Sequence, residues 1–330
     1  MQYTQLLTAG KKSKPYSATL GRMLRVLSAI VVVALIGWQL TIYQTDLSHI
    51  VNIWSGLSFA AYWWVWLVCT GLMLVNWSAE AFKWQYLSGK VVPLSFPVAF
   101  RSIMAGLSLH AVLPHSVGEY AGRIGVISHK QKLKLIGALW VSHTTQMTVT
   151  CLAGAFGLAV YLNHYFAFLP VWALTAGGIL LTLVVLVTII SFIPRLIRWT
   201  ERWKLGKFLA AAHRFTFADW SYATGLSLIR YICFSSQFIL LLYLLKIDTP
   251  LYIQVAGVTW VFLIKSVAPA LNIIADLGIR EVAALAFFPL FGADPAIVLA
   301  ASISVWFLNL FVPSLLGSLS FIRLPTCRFF

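Results

Sequence analysis

Six stretches of the chain, residues 23–45, 57–79, 135–162, 169–192, 220–245 and 296–319, are each apolar over the roughly 20 residues that a helix needs to cross a bilayer. Hydrocarbon offers no partner to a backbone N–H or C=O, so such segments satisfy themselves as α-helices. The rest of the composition leaves no soluble alternative. Of 330 residues, 60% are hydrophobic and 10% charged, too few to give a globule of this size a polar surface. The sequence therefore predicts an all-α integral membrane protein forming a single membrane domain over residues 1–330.

The formal net charge of +15 does not point to nucleic acid. The basic residues sit in short segments between apolar runs rather than on one amphipathic face, which is the pattern of membrane topology. Cys69, Cys151, Cys233 and Cys327 have neither metal-site spacing nor the pattern of a disulfide framework. Lys11, Lys12, Lys14, Arg22 and Arg25 precede or open the first apolar run. That run exceeds a signal-peptide core and has no clear small-x-small cleavage site, so it reads as an uncleaved anchor behind a cytoplasmic segment, residues 1–22.

Two further stretches, 97–128 and 251–291, are apolar but broken in the middle by Pro, Gly and charge. Each reads as a pair of half-helices. Counting positive charge decides their topology. The loop 46–55 has no Lys or Arg; Lys83 and Lys90 follow the second run, and Lys130, Lys132 and Lys134 follow the first broken stretch. Basic residues on both flanks make that stretch re-entrant from the cytoplasm. Loop 163–167 is uncharged, whereas Arg195, Arg198, Arg202, Lys204, Lys207 and Arg214 form the densest basic segment. With Asp248 outside and Arg323 and Arg328 inside, the second broken stretch must enter and leave from the outside. Lys246 is the discordant loop residue. The expected architecture is about six full spans plus two re-entrant broken-helix pairs in an inverted-topology repeat, 23–162 and 163–322, in the cell membrane with both termini cytoplasmic. Gly118 and Gly157 have counterparts at the same spacing in Gly278 and Gly317.

The two breaks hold the scarcest residues. The chain has nine acids, yet "LPHSVGEYAGR", residues 113–123, spends one there, and "ALNIIADLGIREVAAL", residues 270–285, spends two. Ser116 and Glu119 have capping-box spacing, and Glu119 and Arg123 lie one turn apart. In the second break Asp276 suits an N-cap, Gly278 allows close backbone approach, and Arg280 and Glu281 follow. Half-helix N-termini carry unpaired N–H groups and a positive dipole end, which favour an anion such as phosphate. Capping alone accounts equally well for Ser116 and Asp276. For Glu119, Arg123, Arg280 and Glu281 a binding role is favoured, because ionisable groups at membrane depth are costly and usually face a cavity.

These motifs, "LP-x-x-x-GE-x-x-x-R" over 113–123 and "G-x-RE" at 278–281, followed by a last span ending "PSLLG", resemble the transmembrane region of lysylphosphatidylglycerol synthases, also called the flippase-like domain family. The resemblance runs from about residue 23 to residue 322. It implies the binding or movement of an anionic phospholipid or lipid-linked phosphate, with Ser116, Gly118, Glu119, Arg123, Asp276, Gly278, Arg280 and Glu281 as lipid-binding candidates. Members that aminoacylate lipid carry a soluble transferase domain, whereas this chain ends at Phe330, so the membrane part alone is expected. The span after the first motif often carries an Arg and an Asp in such proteins; here Ser142, His143 and Gln146 hold the polar places, and Trp306 or a neighbour stands where the final span often has an Arg.

His143, Gln146 and Lys265 are candidates for a polar path, with helix–helix hydrogen bonding and snorkelling as the plainer roles. Arg230 also lies inside an apolar run. His110, His115 and Glu119 lack a standard metal spacing and read as a polar turn, so neither metal nor cofactor is expected. There is no Gly-rich nucleotide loop and no nucleophile elbow. Beside a lipid translocase, two other classes stand: a membrane-embedded lipid-modifying enzyme, using Glu119 with His115 or Asp276 with Glu281, and a membrane partner of a separate soluble lipid-modifying enzyme, docked on the basic segment 195–214.

Overall fold

The computed structural model describes residues 52–56, 59–112, 115–127, 134–166, 169–200, 215–268 and 273–322. Among these the helices are α1 (Phe59–Gly89), α2 (Phe96–Val112), α3 (His115–Gly125), α4 (Leu135–Phe166), α5 (Val171–Thr200), α6 (Phe217–Leu244), α7 (Leu251–Val267), α8 (Ile273–Phe287), α9 (Pro295–Trp306) and α10 (Val312–Ile322). Five segments are long and apolar enough to cross a membrane: Tyr62–Gly89, Leu135–Phe166, Val171–Thr188, Phe217–Leu244 and Pro295–Ser318. They correspond to five of the six apolar runs; the run 23–45 lies outside the described residues.

One boundary needs correction. The second run stops at Ala79 in the sequence because Glu80 and Lys83 interrupt its apolarity, yet α1 continues to Gly89. Lys83 is fully buried and ion-paired to Glu80 at 2.9 Å, so it is no loop residue and marks no cytoplasmic side. Lys90 lies just past the helix: Asp219 accepts from it at 3.0 Å and, by that bond and its charge, raises its pKa above the ordinary lysine value.

Both broken stretches are helical hairpins. A Cβ on Gly118 would lie 2.5 Å from the Leu109 carbonyl oxygen, and one on Gly122 would lie 2.4 Å from that of Ala105. Positions rise on α2 as they fall on α3, so the pair is antiparallel, at a separation only glycine permits. In the second hairpin Trp260 Nε1 of α7 donates to the Ala283 carbonyl of α8 at 3.0 Å. Gly257 abuts the Phe288 ring, again in antiparallel order. At 1.5 Å per residue, α3 is about 16 Å long, far short of a roughly 30 Å hydrocarbon layer.

The hairpins are held crosswise. α7 lies on α4, where Gly157 meets the Ala256 carbonyl and Gly154 the Leu263 side chain. α2 lies on α10, where Gly317 meets the Met104 carbonyl and Ser108 Oγ donates to the Ser314 carbonyl at 2.8 Å. At the centre α1 and α6 run antiparallel, with contacts from Tyr86–Asp219 at one end to Cys69–Gln237 at the other. α5 is peripheral: it packs on α4, none of Val171–Thr188 is buried, and its leucines and valines face outward as lipid-facing residues would. The last span is broken by a π-helical turn, Phe307–Phe311, directly before Pro313, whose ring crowds the turn preceding it.

Candidate functional site

The interior between α1, α3, α4 and α6 is ionic. Glu80 of α1 is 2% exposed and saturated with donors. Its Oε1 accepts from Arg123 Nη1 of α3 at 2.8 Å and from Ser142 Oγ of α4 at 3.4 Å. Its Oε2 pairs with Lys83 Nζ at 2.9 Å and with Arg230 Nη1 of α6. Arg123 bridges two acids, since its Nη2 lies 2.5 Å from Glu119 Oε1 one turn away. Lys83 also donates to Ser227 Oγ at 3.1 Å, and Arg230 to Gln146 Oε1 at 3.2 Å and to Asn76 Oδ1 at 3.0 Å.

Taking an ion out of water costs several kcal/mol even after relaxation, so charges persist here only because they satisfy one another. Aromatic faces add to this: Arg123 lies 5.8 Å from the Trp84 ring centroid and Arg230 5.4 Å from that of Trp77. A polar thread runs on from Arg230, through Asn76 to Asn309 in the π turn (3.3 Å) and from Asn309 to Gln237 (2.8 Å). The wider π turn thus carries the last span's contribution to the network.

The cluster has one open edge. Glu119 and Arg230 keep 14% of their side-chain surface and His143 keeps 42%. His143 Nε2 stands 3.6 Å from Glu119 Oε2, and its ring stacks on Tyr120.

The candidates from the sequence divide accordingly. Glu119, Arg123, His143 and Gln146 come together at this cluster. Arg280 and Glu281 are buried on α8, where Ser302 Oγ of α9 donates to Glu281 at 2.7 Å. Lys265 is half-buried in the last turn of α7. Gly118 serves hairpin packing, as shown above, and Gly278 is buried on α8. The side chains of His115, Ser116 and Asp276 lie outside what the structure describes. Ser116 and Asp276 lie in the first described turns of α3 and α8, next to residues outside the described ones. Arg123 is in the last turn of α3, about 12 Å along the axis from its start, too far for the helix N-terminus and Arg123 to grip one phosphate. Among the described residues, no group of three or more His, Cys, Asp or Glu side chains is placed to hold a metal ion.

Glu80, Lys83, Asn76 and Asn309 were not among the site candidates in the sequence, where Lys83 counted only as a loop cation. The available signal was a Glu and a Lys three residues apart at the end of an apolar run, which becomes an intramembrane pair once the helix extends past Ala79.

The model of the lysylphosphatidylglycerol synthase transmembrane region matches residues 25–317. The chain belongs to this family. No curated protein sequence matches it. As a member of the lysylphosphatidylglycerol synthase transmembrane-region family with five apolar spanning helices among its described residues, it is a multi-pass membrane protein related to lipid handling. The whole charge cluster lies within the matched residues.

Proposed function

We propose that this protein is a translocase-like membrane protein that binds or moves an anionic phospholipid or lipid-linked phosphate. The observation that carries the proposal is the convergence of Lys83, Arg123 and Arg230 on Glu80 inside the helical bundle, with an edge open at Glu119, His143 and Arg230. Arginine presents a planar fork matched to phosphate, and Arg123 supplies it at the base of a hairpin. Arg280 and Glu281 are the corresponding buried charges on the second hairpin. Ser116, Gly118, Asp276 and Gly278 stay in the proposed lipid-binding set as the remaining hairpin residues of the two motifs.

In this proposal the hairpins are re-entrant from opposite faces of the cell membrane, both termini are cytoplasmic, and the halves 23–162 and 163–322 form an inverted repeat. The crosswise packing of α2 on α10 and α7 on α4 supports it, as does the antiparallel central pair α1–α6. Single cysteines at positions 44 and 248 should react from outside, and at 132 and 204 from inside. Reaction of 132 and 248 from a common side contradicts the repeat.

Headgroup accessibility in proteoliposomes tests the function. Arg123→Lys, Arg280→Lys and Glu119→Gln should each slow lipid movement about ten-fold or more, since each removes a charge-assisted hydrogen bond of about 1.5–3 kcal/mol. Lys204→Ala should change it little. Parent-like movement in both Arg-to-Lys variants removes the phosphate site. Conversion of the lipid headgroup by the purified protein would favour the membrane-embedded enzyme, and activity that depends on an added soluble transferase would favour the partner role.

A further inference from the structure

The turn between α6 and α7 holds a lysine that is out of place twice over. Lys246 is the basic residue that breaks the charge pattern of the loops, and its backbone is left-handed, with φ 57°. It follows Leu245, the C-cap of α6, and the next N–H, of Ile247, closes the helix end by donating to the Leu242 carbonyl at 3.1 Å. Glycine is the usual residue at this point of a helix end, because a Cβ there is strained. The backbone gains nothing from a lysine; what lysine adds is its side chain.

That side chain lines a pocket of about 400 Å³, large enough for a small ligand or a headgroup. Tyr62, at the kink of α1, and Tyr243 of α6 contribute aromatic rings, Ile247 an apolar wall and Asp248 a second charge. Gln254 of α7 pins the turn, its Nε2 donating to the Thr249 carbonyl at 2.8 Å. Lys246 and Asp248 share the pocket, yet among the described residues neither forms an ion pair, with the other or with a third group. Thr249, next in the chain, is 9% exposed, and its hydroxyl has no hydrogen-bond partner among the described residues. Buried hydroxyls usually find one.

The pocket stands apart from the ionic cluster, since Tyr62 and Glu80 lie about 27 Å from each other along α1. Trp63, Trp64 and Tyr252, its neighbours in sequence, are exposed, and exposed aromatics of this kind mark the headgroup level of a membrane.

We infer that this pocket binds a zwitterion of the phosphoethanolamine class, with Lys246 taking the phosphate, Asp248 the ammonium, and the Tyr62 and Tyr243 rings facing the cation. Two unpaired charges of opposite sign match a ligand that carries both. An anion alone is repelled by Asp248 and a cation alone by Lys246. Aromatic faces attract an ammonium and do nothing for a phosphate. At headgroup level the adjacent source of such a group is an ethanolamine phospholipid. The site is additional to the phosphate site proposed at Glu80 and does not depend on it.

Isothermal titration of the purified full chain in detergent tests the inference. The probe is dihexanoyl phosphatidylethanolamine, and dihexanoyl phosphatidylglycerol, with the same phosphate diester but no ammonium, is the comparison. Lys246→Gly and Asp248→Asn should each weaken binding of the ethanolamine lipid about ten-fold or more, as loss of a charge-assisted contact does, and leave phosphatidylglycerol binding level. Lys246→Gly should also melt at the parent's temperature or above it, because glycine suits the left-handed turn; loss of ligand is thereby separated from loss of fold. Soluble glycerophosphoethanolamine should compete far less well than the lipid. Competition equal to the lipid's supports the zwitterion site and assigns it to a free solute instead. No binding of phosphatidylethanolamine by the parent, equal binding by parent and variants, or a loss in only one of the two variants overturns the inference. An equal loss of phosphatidylglycerol binding in Lys246→Gly reduces the pocket to an anion site and overturns it as well. Each of these failures leaves the proposal at Glu80 standing.

Discussion

Glu80→Ala is expected to destabilise the protein by about 3–5 kcal/mol, the usual consequence of removing one partner from a buried ionic group. Three cations converge on that carboxylate, and Lys83 and Arg123 are almost wholly buried, so no water reaches them to take its place. Thermal unfolding in detergent measures the effect. Asp294→Ala serves as a comparison, because Asp294 only caps α9 by accepting from the Ala296 N–H at 2.8 Å, and its loss should cost about 1 kcal/mol. A double replacement, Glu80→Ala with Arg230→Ala, should lose less than the two single changes summed, since the second removes a cation that the first has stranded. Additive losses would mean that the ion pair contributes nothing as a pair.

The second large effect lies in the hairpins. Gly122→Ala places a methyl group 2.4 Å from the Ala105 carbonyl oxygen, and Gly157→Ala places one 2.4 Å from that of Ala256. Neither neighbour is a side-chain tip that can swing away; the helices themselves must part. Overpacking of this kind costs about 1–3 kcal/mol, and at Gly122 it also moves Arg123, the next residue, away from Glu80. Gly225→Ala on α6 meets nothing within 4 Å and should instead stabilise by up to about 1 kcal/mol, the helix propensity gained. The contrast separates backbone contact from propensity. Equal melting temperatures for the Gly122 and Gly225 variants would contradict the hairpin packing.

How far the sequence disclosed this molecule depended on the range of the interaction. Apolar runs are local, and five of them reappear as spanning helices, the second of them extended from Ala79 to Gly89. Breaks rich in Pro and Gly are local too, and both became hairpins. The spacing shared by Gly118–Gly157 and Gly278–Gly317 suggested a repeat; in the structure Gly118, Gly157 and Gly317 each do the same job, allowing a helix backbone to approach. Glu119 and Arg123, one turn apart, were legible as a pair and are one. The centre of the site was not legible. Glu80 and Arg230 are 150 positions apart, and no spacing rule links them. Glu80 also appeared to end a span, because hydropathy treats a charge as an interruption and cannot register the cations that neutralise it from α3 and α6.

Native mass spectrometry of the protein extracted from its membrane tests the central claim most directly, because it asks whether the charge cluster holds a lipid phosphate at all. The parent should retain a phospholipid, and Arg123→Lys, folded and purified in the same way, should retain it about ten-fold less, having kept the charge of Arg123 but lost the two-pronged geometry that engages phosphate. Equal retention of phospholipid by the parent and the lysine variant, or a parent that carries none, would contradict it.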